Sequence, residues 1–494
     1  MSEHTASLFS DELDSSYDVV VVGGGGSGLS AAVQSARNGL HVALIEKMPV
    51  LGGCSAFAEG HAAFASDEQA KRGINVTKKD GFNALLNYSH WRADPAIVSR
   101  FVDNADKTVE ILRDMGIEYE AVKVLAVDAP DEIFTWHIPK GQIARVIEVL
   151  AAKATQLGVD IFLQTAVERI VMADGRVAGV IANDADGQPV RLGARAVVVG
   201  TGGFAGNPEM LAKYTGYPTA RTMVCIGSPG NTGDGLSMMF GVGAKAFHSI
   251  GTSLIIPLMH GKTVMSHTTC AGVQPYLWLD PRGRRFTNEI VGLNSGEAGD
   301  MLAGLQDGYA WTILDSAQIE HLVADGCEVG LGEFIITGTP LINLPNELAA
   351  DVEAGEHAFR GDSLDELARA MGVPPDVLTV EIAEYNTLCH AGTDSRFYKP
   401  KYLFPVEKAP FYAIRMEPAV LITMGGIRIN DDMQVVGEDE QPIPGLYSVG
   451  CDAGGLFGES YALTVPGAGC GFALTSGWLA ADHIAETLKA PALL

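Results

Sequence analysis

Residues 17–28 read YDVVVVGGGGSG, and this stretch decides the fold. Tyr17–Val22 is a β-branched run, the composition of a strand buried on both faces of a parallel sheet. Glycines follow at 23–26 and 28, where the chain must turn. The Ala-rich segment after them, running to Asn38 with Gly39 as its stop, reads as a helix. A second apolar run, His41–Glu46 (HVALIE), completes a βαβ unit. Gly23, Gly25 and Gly28 stand at the spacing G-x-G-x-x-G. In that pattern the first glycine permits the turn, the second lets backbone approach a pyrophosphate, and the third lets helix pack on strand. The helix start at Gly26 and Ser27 offers free N–H groups and the positive end of a dipole to phosphate. Glu46 closes the second strand 18 residues after Gly28, placed to accept a ribose hydroxyl. The pattern predicts a Rossmann-like α/β unit that binds a dinucleotide; a merely structural glycine turn is the alternative.

The rest of the chain sets the frame for that unit. It has 494 residues, of which 47% are apolar and 19% charged, a globular composition. Sixty acids against 34 bases give a formal charge of −26, which disfavours nucleic acid and anionic membranes as partners. Seven cysteines (54, 225, 270, 327, 389, 451, 470) are scattered without a CxxC pair. Neither a metal site nor a disulfide framework is expected, and reduced thiols fit a cytoplasmic protein. The acidic N-terminus lacks the apolar core of a signal peptide, and no apolar run approaches the ~18 residues of a membrane helix. Residues 1–16 read as a loose tail. Helices are expected over 94–116 and 141–157. Short strands are expected over 159–200, with hairpin turns at Asp174-Gly175 and Asp186-Gly187. Residues 236–406 are mixed, and 417–494 return to strands, glycine turns and a closing helix.

Four further pieces carry a resemblance. They are KMPVLGGCSAFAEG at 47–60, VVVGTGGFAGN at 197–207, NTGDG at 231–235, and TMGGIRIN, PIPGLYSVG and a Gly-rich tail within 423–477. In this order they resemble the fumarate reductase/succinate dehydrogenase flavoprotein family, which also includes 3-ketosteroid dehydrogenases, over nearly the whole chain. The resemblance implies FAD as cofactor. It implies an FAD-binding domain built from 14–235 and 407–494, interrupted by a mixed α+β substrate-capping domain at 236–406, with the active site between them. It extends the cofactor set to Lys47, Gly52, Gly53, Cys54, Ser55, Gly60, Ala166, Thr201, Gly202, Gly203 and Asp234. In the tail it adds Pro466, Gly467, Ala468 and Gly469, where a helix start faces the flavin. Many relatives carry Gly-Glu where this chain has Gly450-Cys451-Asp452, so Asp452 takes the place of the ribityl-binding acid one position later. Members that bind flavin covalently offer a His near 52–60. Cys54 stands there instead, which implies noncovalent FAD; as a residue, Cys54 also reads as a small buried apolar side chain.

Three departures bear on the substrate. The family's proton-donating Arg, four residues after the Glu of Arg285-Phe286-Thr287-Asn288-Glu289, is Leu293 here; its HTMGG histidine is Ile422; its substrate-binding Arg is Tyr461, in FGESY. Burying a diacid without such cations costs several kcal/mol per carboxylate, roughly, so fumarate and succinate are rejected. A neutral, flat, polycyclic substrate with hydroxyl or carbonyl handles is expected instead. Tyr461 is the first candidate for acid–base work, with a packed aromatic as the alternative. His260 and His267 are further proton-donor candidates, each also readable as a surface or capping residue. Tyr276 and Trp278 read as an aromatic wall or as core, and Arg284 and Arg285 as structural partners near Glu289. The expected chemistry is hydride transfer between FAD and a substrate carbon. No second G-x-G-x-x-G occurs, so no separate nicotinamide domain is expected, and the electron donor is unnamed. Among substrates, an isoflavonoid such as tetrahydrodaidzein, reduced toward equol, is preferred over a 3-oxosteroid. Another enoate-reductase activity and a non-enzymatic electron-transfer flavoprotein are the remaining alternatives.

Overall fold

The computed structural model describes residues 13–125 and 132–489. Most of the expected N-terminal tail lies outside the described residues, but Ser15 and Ser16 already pair with Leu192 and Gly193 in a strand. A parallel layer runs in the order Pro442–Ser448, Pro189–Val199, Ser15–Val22, Val42–Ile45, Asp160–Phe162, with Gln434–Val436 antiparallel at one edge. Alternation along Ser15–Val22 feeds two cores. Val19 and Val21 face the helices Gly26–Arg37 and Ala468–Lys489 through Leu29, Val33 and Leu474. Val20 and Val22 face Phe204, Leu236 and Met239. Both faces are covered, so the run of valines is apolar throughout rather than alternating. The expected α/β fold is what forms.

Short-range expectations hold where turn chemistry is explicit. Asp174 and Gly175 both have positive φ (49° and 76°), the backbone of a tight hairpin that joins Ala173 to Arg176. Helices occupy Pro95–Asp114 and Gln142–Gln156; the first is capped by Asp94 and opens with proline. Among the described residues no helix is long and apolar enough to cross a membrane. Among them, too, no group of side chains suits a metal ion.

A second sheet is organised on the strand Phe411–Thr423. Its first half pairs with Ala310–Asp315 on one side and Ala358–Gly361 on the other. Its second half pairs with Ser253–Leu258 and Val224–Cys225. One rung sets Pro257 opposite Pro418. The expected boundary between 406 and 407 thus falls just before a strand bonded on both sides to the 236–406 segment, called here the cap segment. A third, small sheet joins His61–Ala62, Trp136–Pro139 and Tyr119–Lys123. It lies against the start of the last helix, where the Ala62 N–H donates to the Gly467 carbonyl at 2.9 Å.

Arg285 takes the structural role its neighbours imply. Its Nε and Nη2 donate to the two Glu289 oxygens at 2.7 and 2.8 Å, and Nη2 also to Asp394 Oδ2 at 2.7 Å. Lys399 Nζ lies 3.4 Å from Glu289 Oε2 and donates to the Tyr276 carbonyl at 2.5 Å. All four charged groups are buried, whereas Arg284 is exposed. Tyr276 and Trp278 are core residues, with Trp278 Nε1 donating to the Gln274 carbonyl. Removing one member of such a network strands a charge away from water. Glu289→Gln or Arg285→Met should cost about 3–5 kcal/mol and lower the melting temperature by several degrees; an unchanged thermal transition would show that the network is not needed.

Candidate active site

The glycine turn divides its work by position. A Cβ on Gly28 would fall onto the Gly23 carbonyl oxygen, and one on Gly23 (φ +105°) onto that of Gly200. Both places are closed by the protein's own backbone. At Gly25 the nearest atom to an added Cβ is the Gly52 carbonyl oxygen, 3.8 Å away, so the middle glycine faces open space. The helix that starts there has no side-chain cap and no acid in its first turn. Of its first donors, the Gly26 N–H reaches Ser55 Oγ at 3.2 Å. An uncapped helix start beside open space is a cradle for a phosphate.

That space is a cleft, in part open to solvent. Of the residues expected from sequence, Gly23, Gly25, Gly26, Ser27, Glu46, Lys47, Gly53, Cys54, Ser55, Thr201, Gly202 and Asp234 line it. The Glu46 oxygens accept the N–H groups of Gly24 and Met48, each at 2.7 Å. Each oxygen retains acceptor capacity for a ribose hydroxyl. Lys47 pairs with Asp234 at 2.5 Å and donates to Thr232 Oγ1 at 2.7 Å.

Other expected residues stand elsewhere. Thr165 and Val167 line the cavity, while Ala166 between them is exposed, as strand alternation requires. Gly60, Gly203 and Gly467 fit close backbone approaches: an added Cβ would meet Trp136 Nε1, the Thr423 carbonyl oxygen and Ala62 N respectively, within 3.1 Å. Gly52, Pro466, Ala468 and Gly469 are likewise not among the lining residues. Asp452 does not line the cavity either. It is fully buried behind the Thr201–Gly203 loop, accepting the Thr201 N–H, Thr201 Oγ1–H (2.8 Å) and the Gly203 N–H (2.9 Å). Burial pushes its carboxyl above the usual range. Its neighbour Cys451 reaches the cavity instead. Cys54 Sγ accepts from the Ser228 N–H at 3.0 Å and Asn231 Nδ2 at 3.1 Å, and burial pushes its thiol up, away from the thiolate a covalent bond needs.

Two of the three departures from the charged family pattern, Tyr461 and Ile422, meet at the start of the last helix, while Leu293 is a buried residue closing the turn Glu289–Leu293. Tyr461 Oη accepts the Gly469 N–H at 2.9 Å, in the first turn of Ala468–Lys489. A Cβ on Gly469 would meet Tyr461 Oη at 2.9 Å and Ile422 Cδ1 at 3.4 Å, so those two side chains converge there. Gly296, three residues past Leu293, faces Leu463, where an added Cβ would lie 3.0 Å from Cδ1. The Tyr461 ring is 4.6 Å from that of Phe457, and burial raises its pKa above the ordinary 10. At neutral pH this phenol keeps its proton.

The two expected histidines do not join it. His260 is exposed, with Nδ1 3.2 Å from Glu417 Oε2 and its ring stacked on His357. Leu254 pairs with Ile422 and Leu258 with Glu417, which puts His260 about 15 Å along the strand from Ile422. His267 opens the helix His267–Gly272, and its Nδ1 accepts the Asn343 N–H at 3.2 Å. Sequence reasoning missed a different pair. His61 Nε2 lies 2.7 Å from Tyr119 Oη, and His137 bridges Ser66 Oγ (2.6 Å) and the Thr135 carbonyl (2.7 Å). Burial lowers His61 to about 3 and His137 to about 4, so both rings are neutral. No spacing links 61, 119 and 137; only the small sheet brings them together.

Two outcomes are expected for the cradle. Gly25→Val should purify without flavin, because its side chain would occupy the space left for pyrophosphate; a fully yellow variant would misplace the cradle. Acid precipitation of the wild type should release FAD into the supernatant, and colour retained by the washed pellet would overturn noncovalent binding.

The comparisons with known proteins agree with this geometry. The FAD binding domain family matches residues 18–470. The chain is 35% identical, over 95% of its own length and 97% of the relative's, to the vinyl phenol reductase of Lactiplantibacillus plantarum. Among solved structures, the open conformation of a flavocytochrome c3 fumarate reductase superposes with a TM-score of 0.76 at 23% identity, over 99% of this chain and 82% of that one. The 3-ketosteroid Δ1-dehydrogenase of Sterolibacterium denitrificans superposes at 0.79 and 21%, over 96% and 100%. These two likenesses concern the fold. Cradle, motif order and relatives converge: the chain belongs to the FAD binding domain family and is an FAD-dependent oxidoreductase of its fumarate-reductase-like branch.

Proposed function

We propose that this protein reduces the carbon–carbon double bond of a neutral, flat phenolic alkene, with Tyr461 as the proton-handling residue. The carrying observation is the convergence of Tyr461 and Ile422 on Gly469, where the family resemblance calls for cations. An apolar shell with one phenol suits a substrate with no carboxylate. The 35% identity to a vinyl phenol reductase supports the same class. It favours a single phenolic ring over the polycyclic isoflavonoid expected above. The two share one chemistry: a phenol conjugated to the reacting carbon can rearrange to a quinone-methide-like acceptor.

Bound FAD, when reduced, supplies the hydride. The Gly23–Gly28 turn and the helix start at Gly26 would hold its pyrophosphate, and Glu46 its ribose. The Tyr461 hydroxyl donates a proton to the substrate while accepting the Gly469 N–H, so the helix start fixes where the donor sits. One hydride and one proton added across the double bond give the saturated product. Apolar neighbours of Tyr461, among them Phe457 and Leu463, keep water from competing for that proton.

The test is anaerobic reoxidation of the dithionite-reduced enzyme by 4-vinylphenol, a hydroxyisoflavan-4-ol, a 3-oxosteroid and fumarate. 4-Vinylphenol should be the fastest acceptor and fumarate the slowest. Fumarate at a comparable rate would sink the reading, and preference for the steroid would move it to ring dehydrogenation. Tyr461→Phe should lower kcat roughly 10²- to 10⁴-fold with FAD binding and melting temperature unchanged; a wild-type rate would remove the hydroxyl from the mechanism.

A further inference from the structure

The two side chains that meet on Gly469 arrive on different segments. Ile422 lies near the end of the strand Phe411–Thr423, and Tyr461 follows the loop that carries Gly458. One residue of the cap segment, the buried Thr252, is bonded to both. Its carbonyl accepts the Met424 N–H at 2.7 Å, two residues past Ile422. Its hydroxyl donates to the Gly458 carbonyl, three residues before Tyr461. Thr252 also leads into the strand Ser253–Leu258, whose first rungs set Ser253 opposite Thr423 and Leu254 opposite Ile422. The turn that holds it is wedged in place. A Cβ on Gly425 would fall onto the carbonyl oxygens of Ile250 and Ser249, and one on Gly454 onto that of Gly425. The Gly458 N–H is taken up as well, by Oγ of the buried Ser89 at 3.2 Å.

A threonine hydroxyl has one proton to give. The Ser249 carbonyl also lies within reach of it, at 2.9 Å, but already receives the Thr252 N–H at 3.0 Å. The Gly458 carbonyl is buried and has no other protein donor among the described residues. A buried carbonyl without a donor is costly, so the proton belongs on Gly458. We propose that Thr252 is a positioning residue: with its carbonyl on Met424 and its hydroxyl on Gly458, it fixes the segments of Ile422 and Tyr461 against each other, so that the Tyr461 hydroxyl stays on the Gly469 N–H. The proposal rests on the role given to Tyr461 above. Without the Thr252 hydroxyl the Gly458 carbonyl must find another donor, and the backbone leading to Tyr461 turns with it. Displacing a proton donor by a fraction of its hydrogen-bond length slows transfer without weakening the binding of a neutral ring.

The experiment measures the FAD-loaded, dithionite-reduced enzyme with 4-vinylphenol as wild type, Thr252→Val, Thr252→Ser, Tyr461→Phe and the double variant Thr252→Val/Tyr461→Phe. Thr252→Val keeps the volume and removes the hydroxyl. It should lower kcat about 10- to 100-fold with KM nearly unchanged. Thr252→Ser restores the hydroxyl and should recover most of that loss. The double variant should be no slower than Tyr461→Phe alone, because Thr252 acts through the hydroxyl already removed. A wild-type rate in Thr252→Val overturns the proposal, and so does a double variant slower than Tyr461→Phe by the full Thr252→Val factor. Should the valine variant not fold, Thr252→Ala carries the same comparisons. A second readout needs no turnover: hydrogen exchange at the Gly469 amide. Its protection should fall in Thr252→Val and return in Thr252→Ser; unchanged protection in Thr252→Val overturns the proposal. If Tyr461→Phe is crippled while Thr252→Val behaves as wild type, this inference alone falls. If Tyr461→Phe is fully active, the role of Tyr461 falls, and the exchange data decide by themselves whether Thr252 sets the loop.

Discussion

Gly477 of the last helix lies against the backbone of the first, so close that a Cβ there would fall onto the Ser27 carbonyl and within 2.9 Å of Ala31 N. Everything at the cofactor site depends on that contact. Two helices that touch backbone to backbone bring their N-terminal ends to the same edge of the parallel sheet. There Val22, Ile45 and Gly200 end or follow their strands and line the cavity. Ligands of such sheets bind beyond the carboxyl ends of the strands for this reason. Ser27 must also stay small, because Gly450 presses on it from a third side with an added-Cβ distance of 2.7 Å to Oγ. The uncapped start of the first helix faces that space with no acidic residue in its first turn, and the last helix adds Ala473 to the lining.

The buried charges in the cap segment and behind the cavity are committed to one another or to backbone. The fully buried cations of the cap segment, Arg285 and Lys399, are already committed to Glu289 and Asp394. Asp452 is committed to the loop behind the cavity. On Gly469 converge a phenol and an isoleucine. Under the proposed function, a diacid brought there would lose its water without gaining a partner, whereas a neutral ring would lose little.

The cofactor end of this site was legible in the sequence because it is local. A G-x-G-x-x-G turn, the acid after the second strand and the Gly-Gly-Cys-Ser segment carry their meaning in spacing alone, and most of them line the cavity. At two places the lining is offset by one residue from the expected set: Thr165 and Val167 line the cavity on either side of Ala166, and Cys451 lines it while Asp452 turns to the loop behind it. The substrate end was less legible because it is assembled from distant strands. His260 and His267 have suitable chemistry in suitable loops, but the register of Ser253–Leu258 on Phe411–Thr423 carries His260 away from Tyr461. The converse holds for His61 and His137. Nothing in their neighbourhoods announces a pair, and 76 residues separate them, yet antiparallel pairing makes them direct cross-strand partners.

The rung that sets Pro257 against Pro418 has a mechanical meaning. Proline has no N–H, so at that rung neither strand can donate to the other. The ladder continues on both sides of it, through Ile255 and Ile256 up to a bulge between Leu254 and Ile255, and again through the pairing of Phe411–Met416 with its neighbours. A continuous strand that links two halves of a protein behaves as a beam, and a beam yields where its bracing is interrupted. The crease falls between the half of Phe411–Thr423 that carries the 310–361 strands and the half that ends at Ile422 beside Tyr461. Bending at that rung would break no bond donated by either proline, so it would cost less there than at rungs where backbone N–H groups donate.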